Sequence, residues 1–497
     1  MLMSFNFGYS YDDILIKPRL SIVESRKEIS LDSKLSKNIK LKTPIISANM
    51  DTVTESSMAI DMAKIGGIGI IHRYCSIKDQ VQMIKKVKKN INFFIENPIC
   101  IESDKLVKDY IEIVEKTGIK TIIVIDKNKK FLGIINKYNI NTFNAVTPSY
   151  NLENQIISNL MSDQKHYQTI TKNEFLKNLT RPKNYQLLIQ KMKEFNVNYL
   201  PVVDNNKNKK IEGLITLKDL LFYSDKRSNA NLDKDGNLIV GAAIGVNGDY
   251  LERAKELIDA KCDVLVLDIA HGHSILVPKV IKNIKKIKNI DIIAGNVATA
   301  EGVKFLAEAG ADGIKVNIGA GSICTTRIVT GCGVPQFTAV LECSKEAKKY
   351  DIPIIADGGH CNKIGNMVKA LSAGASCCML GRMLAGTDQS PGKIIVKDGK
   401  KVKVIRGMAG YITNLNKKRK LNESDIINST PEGVEGYIDY RGDVIDIIEQ
   451  MKGGIRSGLS YCGVKSINQL HHQGVEYYIL SSSGKYESGN HGIKLIG

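Results

Sequence analysis

Short apolar runs bounded by glycine, proline or aspartate recur along the chain, with amphipathic, helix-period stretches between them. Eight runs have this form, at residues 44–47, 67–71, 240–244, 264–268, 291–295, 313–317, 353–357 and 376–381. Eight parallel strands, each leading into a helix, predict an α/β protein built on a closed (β/α)8 barrel, a TIM barrel. An open doubly wound sheet is the competing architecture, but no GxGxxG follows the first strand.

The second and third runs are separated by residues 72–239, far more than an ordinary βα connection needs. Thr121-Ile-Ile-Val-Ile-Asp126 and Phe131-Leu-Gly-Ile-Ile135 read as two strands joined by a polar turn. Tyr199-Leu-Pro-Val-Val-Asp204 and Glu212-Gly-Leu-Ile-Thr216 repeat the arrangement. Residues 97–225 are therefore predicted to form an inserted α+β subdomain, with the barrel discontinuous over 1–96 and 226–497. The repeat resembles a tandem pair of CBS modules, and the second copy, running on into Gly213-Leu-Ile-Thr-Leu-Lys-Asp219, matches better. That resemblance implies a regulatory unit binding ATP or GTP; the alternative is a spacer without a ligand. Residues 406–433 carry Lys417-Lys-Arg-Lys420 and no strong apolar periodicity, which predicts a mobile flap beside the barrel's catalytic face.

At 497 residues the chain is long enough for two or three domains, and 42 glycines suit many strand-to-helix turns. No run of about 18 uncharged apolar residues is present to span a bilayer, and Met1–Asn6 does not lead into a signal-peptide core. A cytoplasmic protein is expected. The ten cysteines stand singly apart from Cys377-Cys378, with no CxxC pair, so neither a zinc site nor a disulfide framework is indicated. The formal charge of +18 raises a nucleic-acid hypothesis, yet the lysines recur on the polar sides of amphipathic helices without interleaved aromatics. No nucleic-acid surface is expected, although the charge can attract anionic nucleotides.

Candidate chemistry clusters where barrel enzymes place it, at the C-terminal strand ends. The sixth run ends in Asn317-Ile-Gly-Ala-Gly-Ser-Ile-Cys-Thr-Thr-Arg327, which presents Cys324 on a glycine-rich loop among free backbone groups. A lone cysteine is more often packed as a small apolar residue. Here the seventh and eighth runs end in Asp357-Gly358-Gly359 and Gly381-Arg382, offering amides and a guanidinium to a phosphate and a carboxylate to a ribose. Together they outline a nucleotide site with Cys324 as nucleophile beside the base. The fourth and fifth runs end in Asp268-Ile-Ala-His271-Gly-His273 and Gly295-Asn296. No carboxylate or cysteine completes a ligand set around the two histidines, so they read as loop structure or cofactor contacts.

Gly-Ser-Ile-Cys324-Thr-Thr-Arg, Val-Pro-Gln336, Asp268-Ile-Ala-His-Gly-His-Ser, Ala-Gly-Asn296-Val-Ala-Thr-Ala-Glu301, Ile-Ala-Asp357-Gly-Gly and Asn49-Met-Asp-Thr-Val-Thr-Glu55 together resemble the inosine-5′-monophosphate dehydrogenase and GMP reductase superfamily, over nearly the whole chain. The resemblance implies that Cys324 attacks C2 of a purine nucleotide, making hydride transfer feasible. For the dehydrogenase it implies IMP oxidised to XMP with NAD. Ser322, Asp357, Gly358, Gly359, Gly381 and Arg382 would hold the nucleotide, and Gly407, Met408 and Glu432 would contact its base. Asp268, Ala270, Asn296, Asn317, Ile318 and Gly319 would meet the dinucleotide, Thr326 would orient water, and Arg419 would act as base. The carbonyls of Gly319, Gly321 and Cys324 would coordinate potassium, with Glu487, Ser488 and Gly489 supplied by a neighbouring subunit of a homotetramer.

The chain departs from the dehydrogenase pattern at three places. Arg419 is followed by Lys420 rather than tyrosine, Ile405 replaces a tyrosine before Arg-Gly-Met, and Asn317-Ile-Gly-Ala320 stands where Gly-Ile-Gly-Pro is usual. The near rival is GMP reductase, which would use the same cysteine, Thr326 and Glu432 to deaminate GMP with NADPH. Val340-Leu-Glu-Cys343, Arg26-Lys-Glu-Ile and Gly454-Ile-Arg-Ser favour it. His271-Gly-His273, the segment from Arg419 to Asp425 and the Glu487-Ser-Gly tail favour the dehydrogenase.

Overall fold

The computed structural model describes residues 6–90, 94–117, 119–146, 151–163, 168–179, 184–217, 220–221, 229–360, 363–407 and 432–489. It divides into two compact units, residues 1–90 with 229–497, and residues 91–228.

The first unit is a closed barrel of eight parallel strands. They are β1 (Ile45–Ser47), β2 (Ile68–Ile71), β3 (Gly241–Ile244), β4 (Val264–Leu267), β5 (Asp291–Val297), β6 (Gly313–Val316), β7 (Ile354–Asp357) and β8 (Cys377–Leu380), with β8 pairing back to β1. All eight apolar runs become these strands. The cause is visible in β4, where all four residues of Val-Leu-Val-Leu are buried: a barrel strand is covered by side chains within and helices outside, so its sequence is continuously apolar.

The helices that cover the barrel are α1 (Ser56–Lys64), α2 (Ile77–Lys88), α3 (Tyr250–Asp259), α4 (Leu276–Ile287), α5 (Ala300–Glu308), α6 (Gln336–Ala347), α7 (Ile364–Ser372) and α8 (Val444–Tyr461). In α4, Val277, Val280, Ile281 and Ile284 are buried at helical spacing, while Lys282, Lys285 and Lys286 fall outside that stripe. Each buried side chain stabilises by about 1.5–3 kcal/mol, which places the lysine-rich segments as helix coats.

Between β8 and α8, strands Ile395–Lys397, Lys400–Arg406 and Glu435–Asp439 form an antiparallel sheet. Its fixed point is Lys403, whose buried ammonium donates to the carbonyls of Thr387 and Ser390 at 2.7 and 2.8 Å. The sheet brings Gly407 and Glu432 to the barrel mouth. Met408, Arg419 and Lys420 of the expected flap lie outside the described residues.

The second unit contains two four-stranded sheets of the same plan. Cys100–Glu102 runs parallel to Thr121–Ile125, which pairs antiparallel with Phe131–Asn136 and then Ser162–Asp163. Ile170–Thr171, Tyr199–Val203, Ile211–Thr216 and Phe94–Glu96 repeat this order. Phe94–Glu96 brings the edge of this unit ahead of residue 97. The halves meet about a pseudo-two-fold relation: Phe131 N–H donates to the Lys209 carbonyl and Ile211 N–H to the Lys129 carbonyl, both at 3.0 Å. Ile123, Phe131, Ile134, Val203 and Leu214 form their shared apolar core. The internal repeat in the sequence is thus a repeat of structure.

Candidate active site

The loop that leaves β6 carries Cys324 back over the barrel mouth. Cys324 N–H closes a turn on the Gly321 carbonyl at 3.1 Å, and the loop is stitched to the far edge of the flap sheet: Thr325 N–H donates to the Glu432 carbonyl at 3.0 Å and Val434 N–H to the Ile323 carbonyl at 3.1 Å. This ladder aligns three side chains. The Cys324 thiol donates to Thr326 Oγ1 at 3.1 Å, and the Thr326 hydroxyl donates to Glu432 Oε2 at 2.7 Å. A sulfur, a hydroxyl and a carboxylate in series form a path by which a proton can leave or approach the thiol's position.

Two carboxylates flank that path. Asp357, at the end of β7, accepts from Lys315 Nζ at 3.0 Å and Asn296 Nδ2 at 2.9 Å, both on Oδ2, while Asn317 donates to its backbone carbonyl at 2.6 Å. Asp268, just beyond β4, accepts from Arg73 Nε at 2.7 Å and from the Tyr74 hydroxyl at 3.2 Å. Burial alone would push the Asp268 carboxyl up. The Arg73 and Lys315 charges, with hydrogen bonds from Arg73 and Tyr74, hold it below the usual carboxylate range. Burial and the Asp268 charge push the Tyr74 phenol up, so it remains a donor.

These groups line a cavity of about 510 Å³ at the C-terminal barrel face. Asp268, Ala270, Asn296, Asn317, Ile318 and Gly319 form one part of its wall, and Gly321, Cys324, Thr326, Asp357, Gly407 and Glu432 another. A smaller cavity of about 110 Å³ adjoins it through Asp357 and Gly321, and is lined by Ser322, Gly358, Gly359, Gly381 and Arg382. Gly358 and Gly359 have φ of +79° and +78°, backbone that side-chain-bearing residues rarely adopt. A Cβ at Gly359 would also come within 2.9 Å of Gln336 Cγ. The exposed Arg382 is close enough to lower the Arg441 guanidinium, after burial, from its ordinary value, so cationic charge gathers at this end.

A family model described as the IMP dehydrogenase / GMP reductase domain matches residues 8–491. The chain belongs to that family. IMP dehydrogenase of Nitrosopumilus maritimus is 43% identical over 99% of this chain and all of its own, and GMP reductase of Leishmania donovani is 41% identical over 98% of both. Crystal structures of a cysteine-to-alanine GMP reductase from Trypanosoma brucei match as well. One superposes with TM-score 0.84 at 38% identity, covering 98% of this chain and 99% of that one. Another, in complex with guanosine 5′-monophosphate, has TM-score 0.77 at 40% identity, covering 99% of both. An IMP dehydrogenase / GMP reductase family member is an enzyme that works with a purine nucleotide and a nicotinamide cofactor.

Within this family member, most residues singled out from sequence converge on the two cavities; Met408 and Arg419 lie outside the described residues. Glu487, Ser488 and Gly489 end the helix Ser482–Glu487 and line neither cavity. His271 and His273 stand 6.2 Å apart between ring centroids, with His273 against Phe305, and no metal-binding group of acidic, histidine or cysteine side chains occurs among the described residues. Sequence reasoning missed Arg73, Tyr74 and Lys315. Arg73 and Tyr74 follow β2 in His72-Arg-Tyr-Cys75, a strand end that carried the same positional signal as the others. Lys315 lies inside an apolar strand, where a lone buried lysine is itself a cue. His360, beneath Gly359, is pushed down to about 4 by burial and stacks on Tyr11, so it is a neutral packing group.

Proposed function

We propose that the chain is an IMP dehydrogenase that oxidises IMP to XMP with NAD through a covalent Cys324 adduct. The observation that carries the chemistry is the Cys324–Thr326–Glu432 series in the wall of the larger cavity. In this reading the nucleotide's phosphate lies against Gly358, whose own N–H is donated to the Met379 carbonyl at 3.2 Å, and the amides of Gly359 and Gly381, with Ser322 and Arg382 beside it. The Arg382 guanidinium supplies the phosphate with a donor that Ile405, standing in place of a tyrosine, does not offer. Asp357 accepts from the ribose hydroxyls through the oxygen that Lys315 and Asn296 leave unbonded.

The thiol proton passes through Thr326 to Glu432, and the sulfur adds to C2. The dinucleotide, when bound, would supply the acceptor for the hydride leaving C2, and Asp268 would meet its ribose once Arg73 and Tyr74 yield. Water, oriented by Thr326 and deprotonated by Arg419, then displaces the sulfur to give XMP. Carbonyls of Gly319, Gly321 and Cys324 suit a hard monovalent ion. Gly319 is left-handed, at φ +77°, and the Gly321 carbonyl, which accepts from Cys324 N–H, keeps a second lone pair; Glu487, Ser488 and Gly489 of another subunit in a homotetramer would complete a potassium shell. The repeat unit is read as a CBS pair taking ATP or GTP, and the enzyme as cytoplasmic.

GMP reductase is the second reading, favoured by the short Thr326–Glu432 bond, which can deliver a proton to ammonia leaving C2, and by Lys420 standing where the dehydrogenase pattern has tyrosine. One assay separates them. NADH absorbance rising with IMP and NAD, faster with potassium, supports the dehydrogenase. NADPH consumption with GMP, and none of the first reaction, overturns it.

A further inference from the structure

Lys315 projects from β6 into the wall of the larger cavity, where it is bonded to Asp357 and shares the lining with Asp268 and Arg73; the proposed function gives the two carboxylates to different ligands. Its ammonium donates to Asp357 Oδ2 at 3.0 Å, with only 5% of the side chain exposed. Its charge also acts on Asp268, where it is the second cation after Arg73 opposing the effect of burial. The neighbouring strand makes room for it. Gly295 on β5 has φ +148°, and a Cβ there would come within 2.5 Å of the Lys315 carbonyl and 2.9 Å of Lys315 Cβ.

Asn296, next to that glycine, donates to the same Asp357 oxygen, so lysine and amide fix the carboxylate from one side while Oδ1 has no donor among the described residues. Arg73 and Lys315 thus oppose Asp268 and Asp357 in one wall that Glu432 also lines. Loss of Lys315 adds a net negative charge to a site that must admit two anionic ligands. A partly buried charge without its partner is costly, and the cost falls on whatever anion enters next.

We propose that Lys315 is a positioning residue serving both ligand sites: it holds Asp357 oriented toward the nucleotide ribose and offsets Asp268, so that an anionic dinucleotide is admitted beside a bound nucleotide. The proposal rests on the assignment of Asp357 and Asp268 to the two ligands. It differs from an ordinary ion-pair role in one consequence. Removing Lys315 weakens both ligands, including the one whose carboxylate it does not touch, whereas the chemistry at Cys324 is spared because Lys315 makes no hydrogen bond within the Cys324–Thr326–Glu432 series.

The test uses the full chain, with calorimetric titration of IMP and of GMP and steady-state kinetics of both reactions, IMP with NAD and GMP with NADPH. Lys315→Met is expected to raise the nucleotide Kd roughly tenfold or more, to raise the dinucleotide KM severalfold, and to hold kcat within about threefold. Lys315→Arg should recover most of both effects. The double variant Lys315→Met/Asp357→Asn removes one charge of each sign and provides the comparison if Lys315→Met alone does not fold. It should bind nucleotide no more weakly than Asp357→Asn by itself, because the lysine acts through that carboxylate. An unchanged dinucleotide KM in Lys315→Met, or additive effects in the double variant, overturns the proposal. A parent chain that binds neither IMP nor GMP instead overturns the functional reading beneath it.

Discussion

The Thr326 hydroxyl donates to Glu432 Oε2 at 2.7 Å across 106 residues of sequence, and on its other side receives the Cys324 thiol at 3.1 Å. A hydroxyl so placed works as a relay only while the carboxylate can take the proton. Glu432→Gln keeps a hydrogen-bonding group but not the base. It should lower kcat by roughly 10²-fold or more and change nucleotide affinity only a few-fold. Thr326→Val should cost a comparable amount, and the double variant little beyond either single one, since the residues act as one path. Steady-state kinetics beside calorimetric binding checks this; additive effects would show that the groups act separately.

Cys324 itself should be dispensable for binding and indispensable for turnover. Its loop is held by backbone bonds from Cys324, Thr325 and Val434, none of which needs the sulfur. Cys324→Ala should therefore abolish activity both with IMP and NAD and with GMP and NADPH, while nucleotide Kd stays within about threefold. Turnover above about one part in 10³ of the parent would remove the cysteine from the mechanism.

The barrel was legible because each of its strands is buried on both faces and so reads as a continuous apolar run, as Val264–Leu267 does. The repeat was legible because each copy carries its own strand pair. Phe94–Glu96 and Ser162–Asp163 are too short to register in a periodicity, and only pairing makes them strands. At the site, glycine-rich strand ends marked Cys324, Asp357 and Asp268 at once, because such loops free backbone groups for ligands. Lys315 and Arg73 escaped notice for a physical reason. A charge matters by what faces it, and the partners Asp357 and Asp268 lie 42 and 195 residues away in sequence.

Lys403 should be the most sensitive surface-sheet position for stability. Its ammonium, with only 3% of the residue exposed, donates to the carbonyls of Thr387 and Ser390. Lys403→Met fits the stem but leaves those carbonyls without their charged donor. The expected destabilisation is about 2–4 kcal/mol, read as a lower urea midpoint, with the flap sheet the first region to gain hydrogen exchange. An unchanged midpoint would mean that water replaces the ammonium without cost.

Gly359→Ala joins two penalties at one position: a left-handed φ of +78° and a Cβ within 2.9 Å of Gln336 Cγ and 3.0 Å of Gln336 Cβ. Gln336 cannot retreat freely, because its side-chain amide donates to the Val316 carbonyl at 2.7 Å. The strain should total about 1–3 kcal/mol and distort the amides offered to phosphate. Nucleotide affinity should fall more than inosine affinity. Equal decreases for the two ligands would argue against a phosphate at this turn.

Asp268 gives a prediction in pH. Burial pushes its carboxyl up, but the Arg73 and Lys315 charges and the hydrogen bonds from Arg73 and Tyr74 bring the net value below the ordinary one. A carboxyl whose folded value is depressed contributes stability that is fully present above its unfolded value, about 3.9, and is lost as pH falls through the lower folded value. Arg73→Gln removes the guanidinium bonded at 2.7 Å and leaves burial less opposed. The variant should lose on the order of 2 kcal/mol at pH 7. The gap from the parent should narrow as pH falls below about 4, because a protonated Asp268 no longer needs the cation. Urea midpoints at pH 7, 5 and 3.5 would follow it, with Asp268→Asn as control: in that background Arg73→Gln should cost little at any of these pH values. A gap constant with pH would mean that Arg73 stabilises the loop after β2 by packing rather than by its charge.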